Sequence, residues 1–424
     1  MKKLYILLVA LVVISDAVAQ WIPQNSGTTN DLKSVYFTDE LTGYAVGNSG
    51  TILKTTNGGD IWELKNSGTT IDLNSVHFPV PEIGYVVGGN SDPPSSSLIL
   101  KTINGGTNWI PQNSGISDIL KSVYFTEVET GYAVGRNGVG ADARSVVIKT
   151  TNGGNQWDTI LTSLTHRYSF NSIFFPDATS GYVAGTYLWL SEFGFIYNTS
   201  DGGINWSYQP LSYGGILTSL NSIFFTNANT GFAVGMLYGG AWIIKTTNAG
   251  SNWDSIFCTD YWNRFNSVYF TDVSTGFAVG ESTSEGIIYK TTNGGSDWTS
   301  QTSGTLNPLY SVYFTSADAG YIVGANGTIL KTTNGGMTGI KENDYESQSL
   351  KISPNPSNDK ITFSLSAITG ITQLSIFTVS GEKVMERQLQ ETEIQIDISA
   401  LPQGVYFVRV QDERGVEVMK IIKQ

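Results

Sequence analysis

Cysteine is almost missing: Cys258 stands alone in 424 residues, so no disulfide framework can form within the chain. Histidine is nearly as rare, and the two present, His77 and His166, fall in different repeats, which makes a poor metal site and argues for none. Charged residues make up only 14%, with a net charge of −12, which excludes the clustered Lys and Arg that a nucleic-acid backbone needs. After the first nineteen residues no apolar run is long enough to span a bilayer, so no transmembrane segment is expected in the mature chain. Those nineteen read as a signal peptide: Lys2 and Lys3, an apolar run from Leu4 to Ile14, then Ala17-Val18-Ala19 as a small-residue cleavage site. Export without disulfides leaves burial and chain closure to supply the stability.

What is plentiful is repetition. Thr55-Thr56-Asn57-Gly58-Gly59-Asp60-Ile61-Trp62 returns at Thr102 to Trp109, Thr150 to Trp157, Thr199 to Trp206, Thr246 to Trp253 and Thr291 to Trp298. A seventh copy begins at Thr332 and reaches Gly339 where the tryptophan belongs. Periods of roughly 40 to 50 residues mean propellers or solenoid arrays. The missing segment stands at the front of the chain, where Trp21-Ile22-Pro23-Gln24-Asn25-Ser26-Gly27 repeats Trp109 to Gly115 residue for residue. A ring has a use for such a displaced strand and a linear array does not, so the expectation is an all-β, closed seven-bladed propeller.

Each unit predicts four strands, in unit one Leu32–Phe37, Gly43–Gly47, Thr51–Thr55 and a last one from Trp62. From the first-strand serine to the second-strand glycine is nine positions in every unit, as in Ser34 to Gly43. Second-strand glycine to box threonine is 12 positions in units one and seven, but 18, 19, 18, 15 and 15 in units two to six. Strands alternate direction, so the constant connections share one end and the variable ones build up the other. Loops on one end of a rigid scaffold are where binding sits.

The expected domains are a signal peptide over 1–19, the propeller over 20–337, a linker over 338–349 and a β-sandwich over 350–424. In the tail the expected strands are Lys360 to Ser366, Leu374 to Thr378, Glu393 to Ile398, Val405 to Val410 and Val416 to Ile422.

The box resembles the Asp-box, or bacterial-neuraminidase repeat. Its expected role is structural: Thr and Asx bond the turn backbone, Gly takes φ > 0 and Trp staples the turn. Burying each tryptophan contributes on the order of 2 to 3 kcal/mol. The structural set is Asn57 with Trp62, Asn104 with Trp109, Asn152 with Trp157, Asp201 with Trp206, Asn248 with Trp253, Asn293 with Trp298, and Asn334 with the displaced Trp21. The fuller unit, with Gly-Tyr-Ala-Val-Gly at 43–47, resembles the photosystem II assembly or stability factor-like propellers over about 20–337. That likeness implies the fold and not a photosynthetic role, because those members act through a basic patch and this stretch holds four arginines: Arg136, Arg144, Arg167 and Arg264.

The tail is similar to the carboxy-terminal sorting domain of the type IX secretion system. The likeness runs through Ile352-Ser353-Pro354-Asn355-Pro356, Leu374–Phe377, Ser380–Val384, Ile398–Val408 and the terminal Lys420–Lys423. It implies the type IX machinery as a partner and an extracellular or outer-membrane-surface location.

The residue inventory argues against an enzyme. There is no Arg-Ile-Pro signature, no Gly-x-Ser-x-Gly elbow, no His-Glu-x-x-His and no phosphate loop, so no catalytic residue and no cofactor is expected. The expected role is binding, of a glycan or a surface protein, on the built-up end. Its candidates in blade four are Tyr187, Trp189 and Phe193, with His166, Arg167 and Tyr168 in the loop before them. Blade five adds Tyr238 and Trp242, and the entry to blade six adds Tyr261, Trp262 and Arg264. The competing expectation is a secreted carbohydrate-active hydrolase of the Asp-box type, which requires two carboxylates converging in a pocket.

Overall fold

The computed structural model describes residues 20–90, 96–117, 119–137, 144–163, 168–187, 193–211, 218–337, 350–365, 372–378, 382–412 and 415–424. The signal-peptide expectation over 1–19 lies outside them, as do His166, Arg167 and Trp189. Contacts divide the chain into two compact units, Met1–Gly339 and Ile340–Gln424.

The first unit contains seven antiparallel four-stranded sheets. Blade one is Leu32–Phe37, Gly43–Gly47, Thr51–Thr55 and Glu63–Lys65. Blade seven is Leu309–Phe314, Gly320–Gly324 and Ile329–Thr332, and its outer strand is Ile22–Gln24. That strand pairs Ile22 with Lys331 and Gln24 with Ile329, so the displaced segment closes the ring. Trp21 is 2% exposed, packs edge-on against Phe314 at 5.9 Å, and donates Nε1–H to Gln301 Oε1 at 2.9 Å.

Every seam repeats one aromatic arrangement. Tyr44 stacks on Phe78 of the next blade at 4.2 Å, and Trp109 meets that Phe edge-on at 6.0 Å. Second strands are buried through their glycine-to-glycine core, as Gly43–Gly47 shows, which is why that core is apolar without alternation. Their closing glycine is forced by a close approach: a Cβ on Gly47 would stand 1.9 Å from the Asp31 carbonyl oxygen. That approach accompanies a bulge in the inner strand between Leu32 and Ser34, repeated in all seven blades.

Inner strands surround the axis and lock in two circles. Each inner-strand serine accepts an N–H from the next blade, from Val76 to Ser34 around to Val35 to Ser311, at 3.3 or 3.4 Å. Two residues on, Tyr36, His77, Tyr124, Phe174, Phe224, Tyr269 and Tyr313 form an unbroken aromatic ring with neighbouring centroids 4.8 to 5.1 Å apart.

The second unit packs two sheets around one core that includes Ile361, Phe363, Leu374, Ile376, Val408 and Ile421. One sheet holds Leu350–Ser353, Lys360–Leu365 and Glu393–Asp397, the other Lys383–Leu389, Thr372–Thr378, Gly404–Asp412 and Gly415–Lys423. Two of these strands escaped the sequence reading. Leu350–Ser353 is short, and Lys383–Leu389 is an edge strand whose mostly exposed, charged residues hide the alternation.

Candidate functional site

The two ends of the propeller follow from strand direction. The turn after each inner strand and the box turn meet at one end, where Gly58 N–H donates to the Leu41 carbonyl at 2.8 Å. In the box, Thr55 Oγ1 accepts Gly59 N–H at 2.9 Å and Asn57 Oδ1 accepts Ile61 N–H at 3.0 Å, while Gly58 and Gly59 sit at φ 67° and 83°. Asp201 fills the role alone among carboxylates. The N–H of Asn205, its side-chain amide and the Thr199 hydroxyl hold its carboxyl down to about 2.

The box also latches blade to blade, which local turn chemistry does not reveal. The Gly105 carbonyl accepts both Tyr44 Oη–H at 2.8 Å and Lys54 Nζ–H at 2.7 Å from the preceding blade. Gly153 receives Tyr85 and Lys101 in the same way, and Gly202 receives Tyr132 and Lys149. A lysine recurring one residue before the box threonine was the available signal.

At the other end the extra residues of blades two to six are partly strand, not loop alone. Blade five runs Gly231–Leu237 and Gly240–Thr246 as one long hairpin, and blade two runs Ile83–Asn90 and Ser96–Thr102. Of the expected binding aromatics, several are core. Trp242 is completely buried, donating Nε1–H to Ser255 Oγ at 2.8 Å, so it leaves the candidate surface. Tyr168 is 8% exposed and packs on Phe195 at 4.9 Å and on Tyr187 at 5.1 Å. Phe193 stacks on Tyr187, so the described aromatics of blade four extend the ring's packing as a cluster. Tyr261 lies on the strand Asp254–Tyr261, opposite Gly240.

Tyr238 and Trp262 are different. They are 54% and 75% exposed, and both hold left-handed backbone, at φ 56° and 73°. Such φ values are outliers for bulky side chains, and they persist because the surroundings fix them. Here Asn263 N–H donates to the Gly239 carbonyl at 2.8 Å, tying the turn after one aromatic to the turn after the other. Two residues along, Arg264 pairs with Glu281 at 2.5 Å. Across the inner ring Lys33 pairs with Asp31 at 3.1 Å and sits 3.9 Å from the Tyr310 ring centre. Burial first, then the Asp31 and Glu281 charges, raise the Tyr310 phenol above its ordinary value. The result is a charged, aromatic-rimmed sector over blades five, six, seven and one.

Toward the box end the aromatic ring lines the channel, each of its seven members half-buried. Burial pushes Tyr36, Tyr124 and Tyr269 up to about 12, and holds His77 down at about 3. His77 Nδ1 is buried and finds no partner among the described residues.

No helix among the described residues is long and apolar enough to cross a membrane. No curated protein matches the chain in sequence. The family described as "Photosynthesis system II assembly factor YCF48" matches residues 13–113 and 173–308, and "Secretion system C-terminal sorting domain" matches 351–424. The sorting domain marks the chain for type IX export to the cell surface or the exterior. Among solved structures, YCF48 from Cyanidioschyzon merolae superposes with a TM-score of 0.57 at 20% identity, over 74% of this chain and 98% of that one. YCF48 bound to D1 peptide gives 0.58 at 18%, over 74% and 96%. The GH74 xyloglucanase from Xanthomonas campestris gives 0.57 at 12%, over 82% of this chain and 60% of that one. At these identities the likeness carries the fold alone.

Proposed function

The chain belongs to the photosynthesis system II assembly factor YCF48 family, and from that premise we propose that it is an exported binding propeller whose built-up end holds a glycan or a surface protein. The observation that carries this reading is the exposed pair Tyr238 and Trp262, fixed in strained backbone and tied together by one hydrogen bond. Folding gains little from leaving an indole in water, and strain of this kind clusters at ligand clamps. The Arg264–Glu281 pair beside them adds the directional polar groups that aromatic platforms need for specificity. A family relative holding a peptide supports binding as a use of this scaffold. With four arginines in 20–337, the charge here does not support a photosystem role.

A hydrolase would need two carboxylates converging in one pocket, and Asp31 and Glu281, which both bear on Tyr310, are one such pair to consider. Each is already engaged by a cation, Asp31 by Lys33 and Glu281 by Arg264. The test is retention of the mature chain on a glycan array and on immobilised surface proteins. Tyr238→Ala with Trp262→Gly should abolish retention. Equal retention by the variant, or turnover of a glycan that Glu281→Gln stops, would replace this reading.

A further inference from the structure

Four blades tie to their neighbours through one asparagine, and blades seven and one, which meet at the closure, do without it. Asn74, Asn171, Asn221 and Asn266, each one residue before the inner-strand serine, donate Nδ2–H to the next blade's carbonyl at 2.8 or 2.9 Å. Blade seven has Tyr310 in that place and blade one has Lys33. Tyr310 is half-buried, and its hydroxyl makes no hydrogen bond among the described residues, so it has both a donor and an acceptor to offer. Lys33 Nζ lies 3.9 Å from the centre of that ring and pairs with Asp31 at 3.1 Å. Asp31 is fixed in turn by the Asn326 N–H at 3.0 Å. On the other flank stands Arg264 with Glu281, cross-strand partners in blade six. Both pairs keep surface in water, 50% and 21% for Arg264 and Glu281 and 28% for each of Lys33 and Asp31. An uncommitted phenol thus stands between two accessible ion pairs, each neutral in itself.

That charge balance selects the class of ligand. A carboxylate entering the sector gains a cation only by displacing Asp31 or Glu281, and otherwise meets them as like charges. The chain's net charge of −12 adds repulsion at longer range. A hydroxyl needs no displacement, because one oxygen can accept from the cation of a pair and donate to its carboxylate. A peptide amide divides donor and acceptor between two atoms and cannot span a pair in that way. The exposed rings of Tyr238 and Trp262 supply the apolar surface that the carbon face of a sugar covers. We infer that this sector takes an uncharged sugar, its neighbouring hydroxyls set against the two ion pairs and the Tyr310 hydroxyl, and that it rejects uronic acids. The inference rests on the glycan reading of the built-up end and narrows it.

Calorimetry on the mature full chain tests it, with neutral trisaccharides of gluco, manno and xylo configuration, their uronic-acid counterparts and an uncharged hexapeptide. A neutral sugar should bind at least about tenfold more tightly than its uronic-acid counterpart. Raising the salt should narrow that gap, a readout that needs no variant. Glu281→Gln leaves Arg264 unbalanced, so it should strengthen the uronide about tenfold and erase the preference. Tyr310→Phe keeps the ring and loses only the uncommitted hydroxyl. It should weaken the neutral sugar about threefold to tenfold and leave the denaturation midpoint where it was. Equal or tighter binding of uronides by the unaltered protein, an unchanged preference in Glu281→Gln, or unchanged affinity in Tyr310→Phe would each overturn the inference and leave the glycan reading standing. Binding of the hexapeptide alone, or of no sugar at all, would overturn both.

Discussion

The two ends of the propeller are made from the same strands, yet their polar groups are committed in opposite ways. At the box end the backbone donors and acceptors of the turns are taken by a neighbouring turn or blade, as the doubly occupied Gly105 carbonyl shows, while the buried indole N–H groups of Trp62, Trp109, Trp157 and Trp298 find no partner among the described residues. At the built-up end, Tyr238, Trp262 and the Tyr310 hydroxyl keep surface or hydrogen-bonding capacity in reserve. A group already satisfied inside the fold can be repeated without change, and a group left open is where blades are free to differ. On the proposed reading the ends separate stability from recognition, and substitutions at each should fail in different assays.

The largest effect belongs to closure. Trp21→Ala should destabilise the propeller by about 4 kcal/mol in chemical denaturation, the range for a buried large aromatic. It should cost more than Trp109→Ala, because Trp21 also makes the Gln301 hydrogen bond and holds the two chain ends of the ring together. An equal or smaller loss would mean the seventh seam is no stronger than the others. Next in size is the box hydroxyl. Thr102→Val keeps the shape but leaves the buried Gly106 N–H without its 2.8 Å acceptor, a cost of about 1 to 3 kcal/mol. Ser282→Ala, at the exposed hairpin tip of blade six, should stay within about 0.5 kcal/mol. Similar losses at both positions would dissolve the distinction between the ends.

Much of this was legible in the sequence, and the reason is locality. Box threonine, asparagine and glycines act within five residues, so their spacing alone conveys the turn. Closure was legible because Trp21 to Gly27 copies Trp109 to Gly115. The blade-to-blade latches and the axial aromatic ring were not, since Lys54 and Gly105 meet only through the blade register. Aromatic content also misled at the candidate site. Trp242 and Tyr168 share the local composition of Trp262, and only burial separates core from surface.

His77 stands out within the axial aromatic ring, and it offers the next test. Tyr36, Tyr269 and Tyr313 each donate Oη–H to the carbonyl of the following blade's Phe, while His77 leaves Nδ1 buried and unpartnered. His77→Tyr, which can reach the Phe125 carbonyl in the same manner, should stabilise by about 1 kcal/mol at neutral pH. Burial lowers the folded pKa of His77 from 6.5 to about 3, so the unfolded chain takes up the proton first. Its contribution is intact above about pH 6.5 and is lost as pH falls toward 3, with a limiting slope of roughly 1.4 kcal/mol per pH unit. The tyrosine variant should flatten that acid limb in denaturation curves taken from pH 7 to pH 4. An unchanged limb would assign the acid sensitivity to other groups.

The smallest stability effect should fall on the residue given most weight in binding. Trp262 is 75% exposed and holds φ 73°, so its ring contributes little burial while its backbone carries a left-handed cost of about 1 to 2 kcal/mol. Glycine removes that cost, and its greater freedom in the unfolded chain returns roughly 0.4 to 1 kcal/mol of the gain. Trp262→Gly should therefore leave stability unchanged or raise it by about 0.5 kcal/mol, read as a shift in denaturation midpoint at constant slope. A loss of 2 kcal/mol or more would make the indole part of the packing, and the two ends would then differ in sequence but not in purpose.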